Sequence, residues 1–211
     1  MNLHRFFCHA AAFALAISSS VSGQEASKEV QVDVKKVDAG SQNTPQFTAP
    51  NVKDKRWNPK LWLEVDVGFG VKKARVPGEN NPMVDSLDFK YFVLLNKRDK
   101  AGKLTLLTAS VSYLNANEDD RESHAMVFVS PAALARVLEN PRFTQVDLTP
   151  VAIGIEVYKG GALAGGYSQG GPGGKWWEKA ENFNIVDGVL LPKAKTPFAP
   201  LWGDYDLETK Q

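Results

Sequence analysis

The segment Gly166-Tyr167-Ser168-Gln169-Gly170 matches the G-x-S-x-G pattern, in which a serine on a sharp strand-to-helix turn acts as a nucleophile. That chemistry needs a helix after the serine and a histidine that accepts the serine's proton. Here Gly171-Pro172-Gly173-Gly174 follows, which cannot begin a helix well, and no histidine comes after Ser168. The surroundings therefore argue against a hydrolase built on Ser168, and we expect the protein not to be an enzyme.

Two ligand-binding patterns also fail at positions that define them. Gly174-Lys175 lacks the Ser or Thr that follows the lysine in a phosphate-binding loop. Asn115, Asn117 and Asp119 alternate oxygen ligands as a calcium loop does, but Met126 stands where the loop requires glutamate. A solvated hairpin tip is favoured over a weak calcium site. We expect no cofactor and no metal site.

The first 23 residues have the features of a secretory signal peptide. Arg5 supplies a positive charge, Phe6 to Ile17 form an apolar stretch, and the small residues up to Gly23 provide a cleavage site. The stretch is shorter than the ~20 residues that a membrane span requires. We therefore expect an exported protein of the periplasm, the cell surface or the outer envelope, with no transmembrane segment in the mature chain.

The composition of the exported chain argues against cysteine chemistry and against nucleic-acid binding. Cleavage after Gly23 would remove Cys8 and leave His124 as the one histidine, which excludes disulfides and thiol chemistry. A lone histidine is expected to be a surface or half-buried structural residue. The full chain has 25 Lys+Arg against 24 Asp+Glu, a formal net charge of +1. Such a balance gives no electrostatic case for nucleic acid as a partner.

Residues 24–54 are polar and predict a flexible arm. Within it Val30, Val32 and Val34 alternate with polar residues, which is a short strand pattern. The pattern fits either a transient strand or a strand that adds to a sheet edge, its own or a partner's. The three valines are therefore candidate partner contacts.

The rest of the chain, residues 55–211, predicts one domain. Period-2 alternation or β-rich composition marks strands near residues 61–69, 87–95, 104–114, 125–129, 151–157, 162–168 and 185–191. Ser130-Pro131 begins one short helix and Asn140-Pro141 ends it. Because strands follow strands, the fold class is mainly β: an antiparallel immunoglobulin-like β-sandwich with one short helix and a proline-rich tail.

Tryptophans are the remaining candidates for contact with a ligand. Trp62 falls on the polar face of its strand, and the adjacent Trp176 and Trp177 would point in opposite directions from an extended chain. Exposed aromatic rings stack on sugars or anchor protein interfaces. These three residues join the valines as candidate partner contacts, against the alternative of ordinary core packing.

The tail segment Thr196-Pro197-Phe198-Ala199-Pro200, followed by Trp202 and by Asp204-Tyr205, resembles the closing motif of exported proteins of Verrucomicrobia. The whole chain resembles the pilus-operon proteins of the Akkermansia type, which are associated with type IV pili. The resemblance implies an immunoglobulin-like sandwich and association with pilus or outer-envelope proteins. A pilin itself keeps a long apolar helix after its cleavage site, whereas polar residues 24–28 stand here.

The leading expectation is therefore a non-enzymatic envelope protein, a structural or accessory component of a type IV pilus-like system. The alternative is a secreted carbohydrate-binding module that holds glycans with exposed aromatic rings. Association with a pilus complex would support the first, and binding to glycans would support the second.

Overall fold

The computed structural model describes residues 29–53, 55–75, 77–78 and 80–210. The expected signal peptide, residues 1–23, and the beginning of the expected arm lie outside the described residues. The elements are β1 (Val30–Asn43), β2 (Leu61–Lys73), β3 (Met83–Arg98), β4 (Leu104–Asn117), β5 (Ser123–Val129), α1 (Pro131–Leu138), β6 (Pro150–Lys159), β7 (Ala162–Gly170), β8 (Phe183–Asp187) and β9 (Leu190–Pro192). The predicted class, mainly β with one short α-helix, is confirmed.

The strands form two sheets, with the orders β1-β2-β5-β9 and β7-β6-β3-β4-β8. Neighbouring strands are antiparallel except for β4 and β8, which run parallel. The first sheet thus holds β1, β2 and β5, while the second holds β3, β4, β6 and β7. Immunoglobulin-type sandwiches divide strands A, B, E and C, C′, F, G in the same way.

The core lies between the sheets and follows the period-2 pattern. Alternate residues of β2, including Leu63, Val65 and Phe69, are completely buried. Tyr91 of β3 and Tyr113 of β4 lie in the facing sheet, with their hydroxyls 2.8 Å apart. The Tyr113 hydroxyl donates to the Met126 carbonyl at 3.0 Å. Burial raises the pKa of both tyrosines far above its usual range. Both hydroxyls are therefore neutral and hydrogen-bonded, as burial in an apolar core requires.

Helix α1 begins where its capping residues predict and ends just before the predicted stop at Asn140-Pro141. The Ser130 hydroxyl accepts a hydrogen bond from the Ala133 amide, and Pro131 occupies the first turn without losing a hydrogen bond. Glu139 closes the helix with a left-handed backbone, φ 51°. Leu134 is the residue that anchors the helix in the core.

The predicted flexible arm is wrong for residues 30–43. That segment is β1, which pairs along its length with β2, from Val30 opposite Lys73 to Asn43 opposite Leu61. Val30, Val32 and Val34 are buried in the core. Their polar neighbours face solvent. The segment is polar on average because only one face of the strand is apolar. The sandwich consequently starts at β1 and not at residue 55.

The last predicted strand, residues 185–191, is also corrected. The chain forms β8 in the second sheet and β9 in the first, with Gly188 between them at φ 72°. A left-handed backbone is accessible to glycine at no steric cost, and here it turns the chain from one sheet to the other. This crossing brings the C-terminal tail to the outer face of the first sheet.

Candidate interaction surface

The tail after β9, residues 193–210, is here called the strap, because it crosses the outer face of the first sheet. The ring of Phe198 stacks on Phe128 of β5, with centroids 4.5 Å apart and planes at 10°. It also meets the edge of Trp62 on β2 at 5.5 Å and 88°. These rings and Met126 form a small buried cluster beneath the strap, with Leu201 packed against it. The outer face of this sheet is therefore partly a second apolar layer.

The Thr-Pro-Phe sequence has a local reason for its place in the strap. The Thr196 hydroxyl donates to the Lys193 carbonyl at 2.7 Å and accepts from the Phe198 amide at 3.2 Å. Pro197 fixes its own φ between these two hydrogen bonds. The turn is thereby defined, and it directs Phe198 into the sheet.

An ion pair ties the two halves of the strap together. The Lys193 ammonium contacts the Asp206 carboxylate, and the two side chains are 5% and 9% exposed. Loss of one member of such a pair leaves an uncompensated buried charge, which is strongly destabilising. Lys193 and Asp206 therefore have to remain paired, which holds these two parts of the strap against each other.

A second polar cluster anchors the strap to β2 and β5. Asp66 accepts a hydrogen bond from the Tyr205 hydroxyl at 2.7 Å and lies 2.9 Å from His124 Nδ1. The Tyr205 ring stacks on the imidazole at 4.0 Å and 26°. Burial, together with the bond to Asp66, raises the pKa of the Tyr205 phenol well above its usual value. His124 is half-buried, as expected, and its partners give it a structural role.

The end of the strap joins the two sheets. The Leu207 amide donates to the His124 carbonyl on β5 at 2.9 Å. A few residues later the Leu114 amide of β4 donates to the Glu208 carbonyl at 2.8 Å, and the Lys210 amide donates to Ser112 at 2.9 Å. The strap thus closes one side of the sandwich by main-chain hydrogen bonds to both sheets.

Two aromatic side chains of the strap face solvent. Trp202 is 44% exposed and Tyr205 is 45% exposed. Trp202 has a left-handed backbone, φ 60°, which is uncommon for a bulky residue and is associated with functional sites. Its ring stacks on Phe198 with planes at 13°. The strap therefore presents large aromatic surfaces on a well-anchored base.

The structure buries all six residues that the sequence suggested as partner contacts. The three valines lie in the main core and Trp62 lies under the strap. Trp176 and Trp177 cover the outer face of the second sheet, where they pack on residues of β3, β4 and β6. A sequence signal that could have indicated this cover is the apolar outer face of β3, with Phe92 and Leu94. The expectation that these side chains are free for partners is therefore corrected for the folded monomer.

The cover over the second sheet depends on one glycine. Trp177 stacks on Phe92 at 5.1 Å and 13°, directly over Gly154. A Cβ at Gly154 would lie 2.2 Å from the indole ring. Beside it Lys175 pairs with the Glu156 carboxylate at 2.8 Å. Burial alone would raise the pKa of Glu156, but hydrogen bonds from Lys175 and Tyr158 outweigh it, and the pKa is lowered.

The chemical motifs are also placed by the structure. Ser168 lies within β7, opposite Gly154 of β6, and not on a strand-to-helix turn. His124 belongs to β5 in the other sheet, so the two are not brought together as a nucleophile and base. The Asn117 side chain accepts from the Asp119 amide at 3.0 Å, which is a turn contact. Across residues 29–210, within their described ranges, no three His, Cys, Asp or Glu side chains are arranged to hold a metal ion.

Fold and surface together define a β-sandwich protein whose C-terminal strap carries exposed aromatic residues. A family model matches residues 23–211, and the chain belongs to that family. A crystal structure of a protein from Akkermansia muciniphila is similar, with a TM-score of 0.69 and 25% sequence identity. The match covers 87% of this chain and 94% of the other. No curated protein matches the chain. None of the helices in the described ranges has the length and apolar character to cross a membrane.

Proposed function

We propose that the protein is an exported, non-enzymatic component of the cell envelope that acts through protein–protein contacts. In this proposal it is a structural or accessory part of a type IV pilus-like system, in the periplasm or on the outer envelope. Support comes from the resemblance of the tail motif to exported Verrucomicrobia proteins and from the similar fold of an Akkermansia muciniphila protein. Its partners are pilus or outer-envelope proteins.

The observation that carries the proposal is the exposure of Trp202 and Tyr205 on the strap. Tryptophan and tyrosine are enriched at the residues that dominate binding energy in protein interfaces. The strap beneath them is fixed by the Phe198 cluster and by the Lys193–Asp206 pair. A surface that is ordered before binding loses less conformational entropy in a complex. These two rings are therefore the favoured contact surface.

Affinity capture from envelope extracts tests the proposal. The wild-type chain should capture pilus-assembly or outer-envelope proteins, identified by mass, and Trp202→Ala should lose them. Trp57→Ala is a matched control, because Trp57 is 47% exposed but lies outside the strap. Both variants should keep a melting temperature close to that of the wild type. Equal capture by the two variants would contradict a role for the strap.

The exposed rings also support the alternative, a carbohydrate-binding module. A pyranose ring can stack on an aromatic face. Because Trp62, Trp176 and Trp177 are buried, the candidate sugar-binding rings are Trp202 and Tyr205. A glycan array separates the two functions. Glycan binding that is lost in Trp202→Ala, without capture of an envelope protein, would favour the module.

A further inference from the structure

Three of the four edge strands carry features that prevent pairing with another chain. An open sheet edge offers unpaired main-chain groups, and bulges, charges, proline or coverage reduce that exposure. β1 has a register shift between Val34 and Lys36 and a lysine pair there. β9 is three residues long and ends at Pro192. β7 lies against β1, since a Cβ at Gly165 would come within 2.2 Å of the Val32 carbonyl.

The fourth edge strand, β8, has no register shift, no lysine and no proline. It pairs in regular register with Leu104–Thr108 of β4, and no strand of the described residues lies on its other side. Its sequence contains no lysine, glycine or proline. Ile185 at its centre is 47% exposed. The one charged side chain, Asp187, accepts a hydrogen bond from the Thr108 hydroxyl at 2.7 Å and is directed to β4.

We propose that β8 pairs antiparallel with β8 of a second copy of the chain, across a two-fold axis centred on Ile185. The five-stranded sheet would then continue from one copy into the next. This pairing does not depend on the proposed role in the envelope.

The sequence of β8 is compatible with pairing to itself. In this register Ile185 faces Ile185, Asn184 faces Val186, and Phe183 faces Asp187 of the other copy. No two like charges are opposite each other, and the central Ile185 pair is apolar, which is stabilising. The formal net charge of +1 also gives little long-range repulsion between copies. On the outer face Ile185 is adjacent to Leu106, which belongs to the Trp176–Trp177 cluster. Pairing would therefore extend an apolar surface that already exists.

The contact is short, so the expected association is weak. Five residues of strand span roughly 17 Å, and the area buried falls below the ~1,000 Å² of a stable interface. A dissociation constant on the order of 100 µM or higher is expected. Such pairing would act mainly where copies are held close to each other by other contacts.

Cysteine cross-linking tests the register directly, in the full chain carrying Cys8→Ser. Opposite Cβ atoms in an antiparallel pair are ~4.5–5.5 Å apart, close to the ~3.5–4.5 Å that a disulfide needs. Ile185→Cys should give a disulfide-linked dimer on mild oxidation. Asn184 would lie opposite Val186 of the other copy and not opposite the other Asn184. Asn184→Cys should therefore link much less. Val146→Cys is the control for random collision, because Val146 is 81% exposed and far from β8 in the sequence.

Sedimentation equilibrium gives a second, independent measurement. The average mass of the wild type should rise with concentration between roughly 10 µM and 1 mM, because the interface is weak. Ile185→Lys should stay monomeric across that range and should melt within a few degrees of the wild type, since its side chain is half exposed. A wild type that stays monomeric, or Ile185→Cys that links no faster than Val146→Cys, would overturn the proposal and leave the edge to a strand from another protein.

Discussion

Phe198 of the strap lies face to face with Phe128 of β5, with ring centroids 4.5 Å apart. The contact joins a proline-rich tail to the outer face of a sheet whose other face forms the main core. Because Phe198 is 1% exposed, the tail is part of the folded domain. The strap, in turn, sets the positions of Trp202 and Tyr205.

Removal of this ring should destabilise the whole domain. Phe198→Ala is expected to lower the free energy of unfolding by about 3 kcal/mol, the usual cost of deleting a buried phenylalanine. For a chain of this size, that corresponds to a fall in melting temperature of roughly 6–12 °C. Phe47→Ala is the matched control, because Phe47 is exposed and should change little. Equal thermal shifts for the two variants would show that the strap is not part of the cooperative fold.

Because one face of β1 is buried, a charge at one of its valines should destabilise the domain, and its amides should exchange slowly. Val32→Asp places a charge in the core and should lower stability by about 3 kcal/mol or more. Gln31→Asp puts the same charge on the exposed face of the same strand and should have an effect within about 0.5 kcal/mol. Hydrogen exchange of the wild type should be slow through β1. Fast exchange there would restore the view of a mobile arm.

Gly154 should be intolerant of any side chain. Gly154→Ala would bring a methyl group against the Trp177 ring and displace it, at a cost of about 1–3 kcal/mol. Tryptophan fluorescence should shift to longer wavelength as the ring becomes exposed. At Gly40 a Cβ would meet nothing within 4 Å, so Gly40→Ala serves as the control. An unchanged spectrum for Gly154→Ala would mean that the stack on Phe92 does not hold Trp177.

Two glutamates should give opposite pH dependences. Burial raises the pKa of Glu64, against a hydrogen bond with Gln42 that lowers it, and its Oε2 atom is buried without a partner. Between the unfolded pKa of about 4.3 and the higher folded value, the native state binds more protons, so stability falls as pH rises. Glu64→Gln should therefore melt higher than the wild type at pH 7, and this difference should shrink toward pH 4.

Glu156 supplies the control of opposite sign. Its folded pKa is lowered, so its contribution to stability is present above about pH 4.3 and is lost as pH falls through the folded value. Glu156→Gln should melt below the wild type at pH 7, with the gap closing in acid. Differences that do not depend on pH would exclude titration of either carboxyl as the cause.

Ser168 should show no nucleophilic reactivity. It lies within β7, and His124 lies in the other sheet, so this histidine is not positioned to accept its proton. A fluorophosphonate probe should leave the purified protein unlabelled. Stoichiometric labelling that disappears in Ser168→Ala would show that a hydrolytic site exists.

Much of the sandwich could be predicted from local sequence. The alternation in β2 and β3, the turn at 99–102 and the return along β4 are properties of neighbouring residues, and they predict a hairpin and a paired strand. The start of α1 was predicted for the same reason, because a capping serine and a first-turn proline act within one turn of helix. These features depend on residues close together in the sequence, so they can be predicted without knowledge of the tertiary structure.

The tertiary structure decided the rest, because the deciding partners are distant in sequence. Three alternating valines have the same pattern in a transient strand and in a core strand. β1 is a core strand because it pairs with the edge of β2 and its valines pack against the facing sheet. Phe198 is buried because Trp62 and Phe128, from two other strands, form the surface that receives it. Periodicity predicts which residues of one element share a face. Which second element covers that face depends on long-range packing, and here it was the chain's own tail.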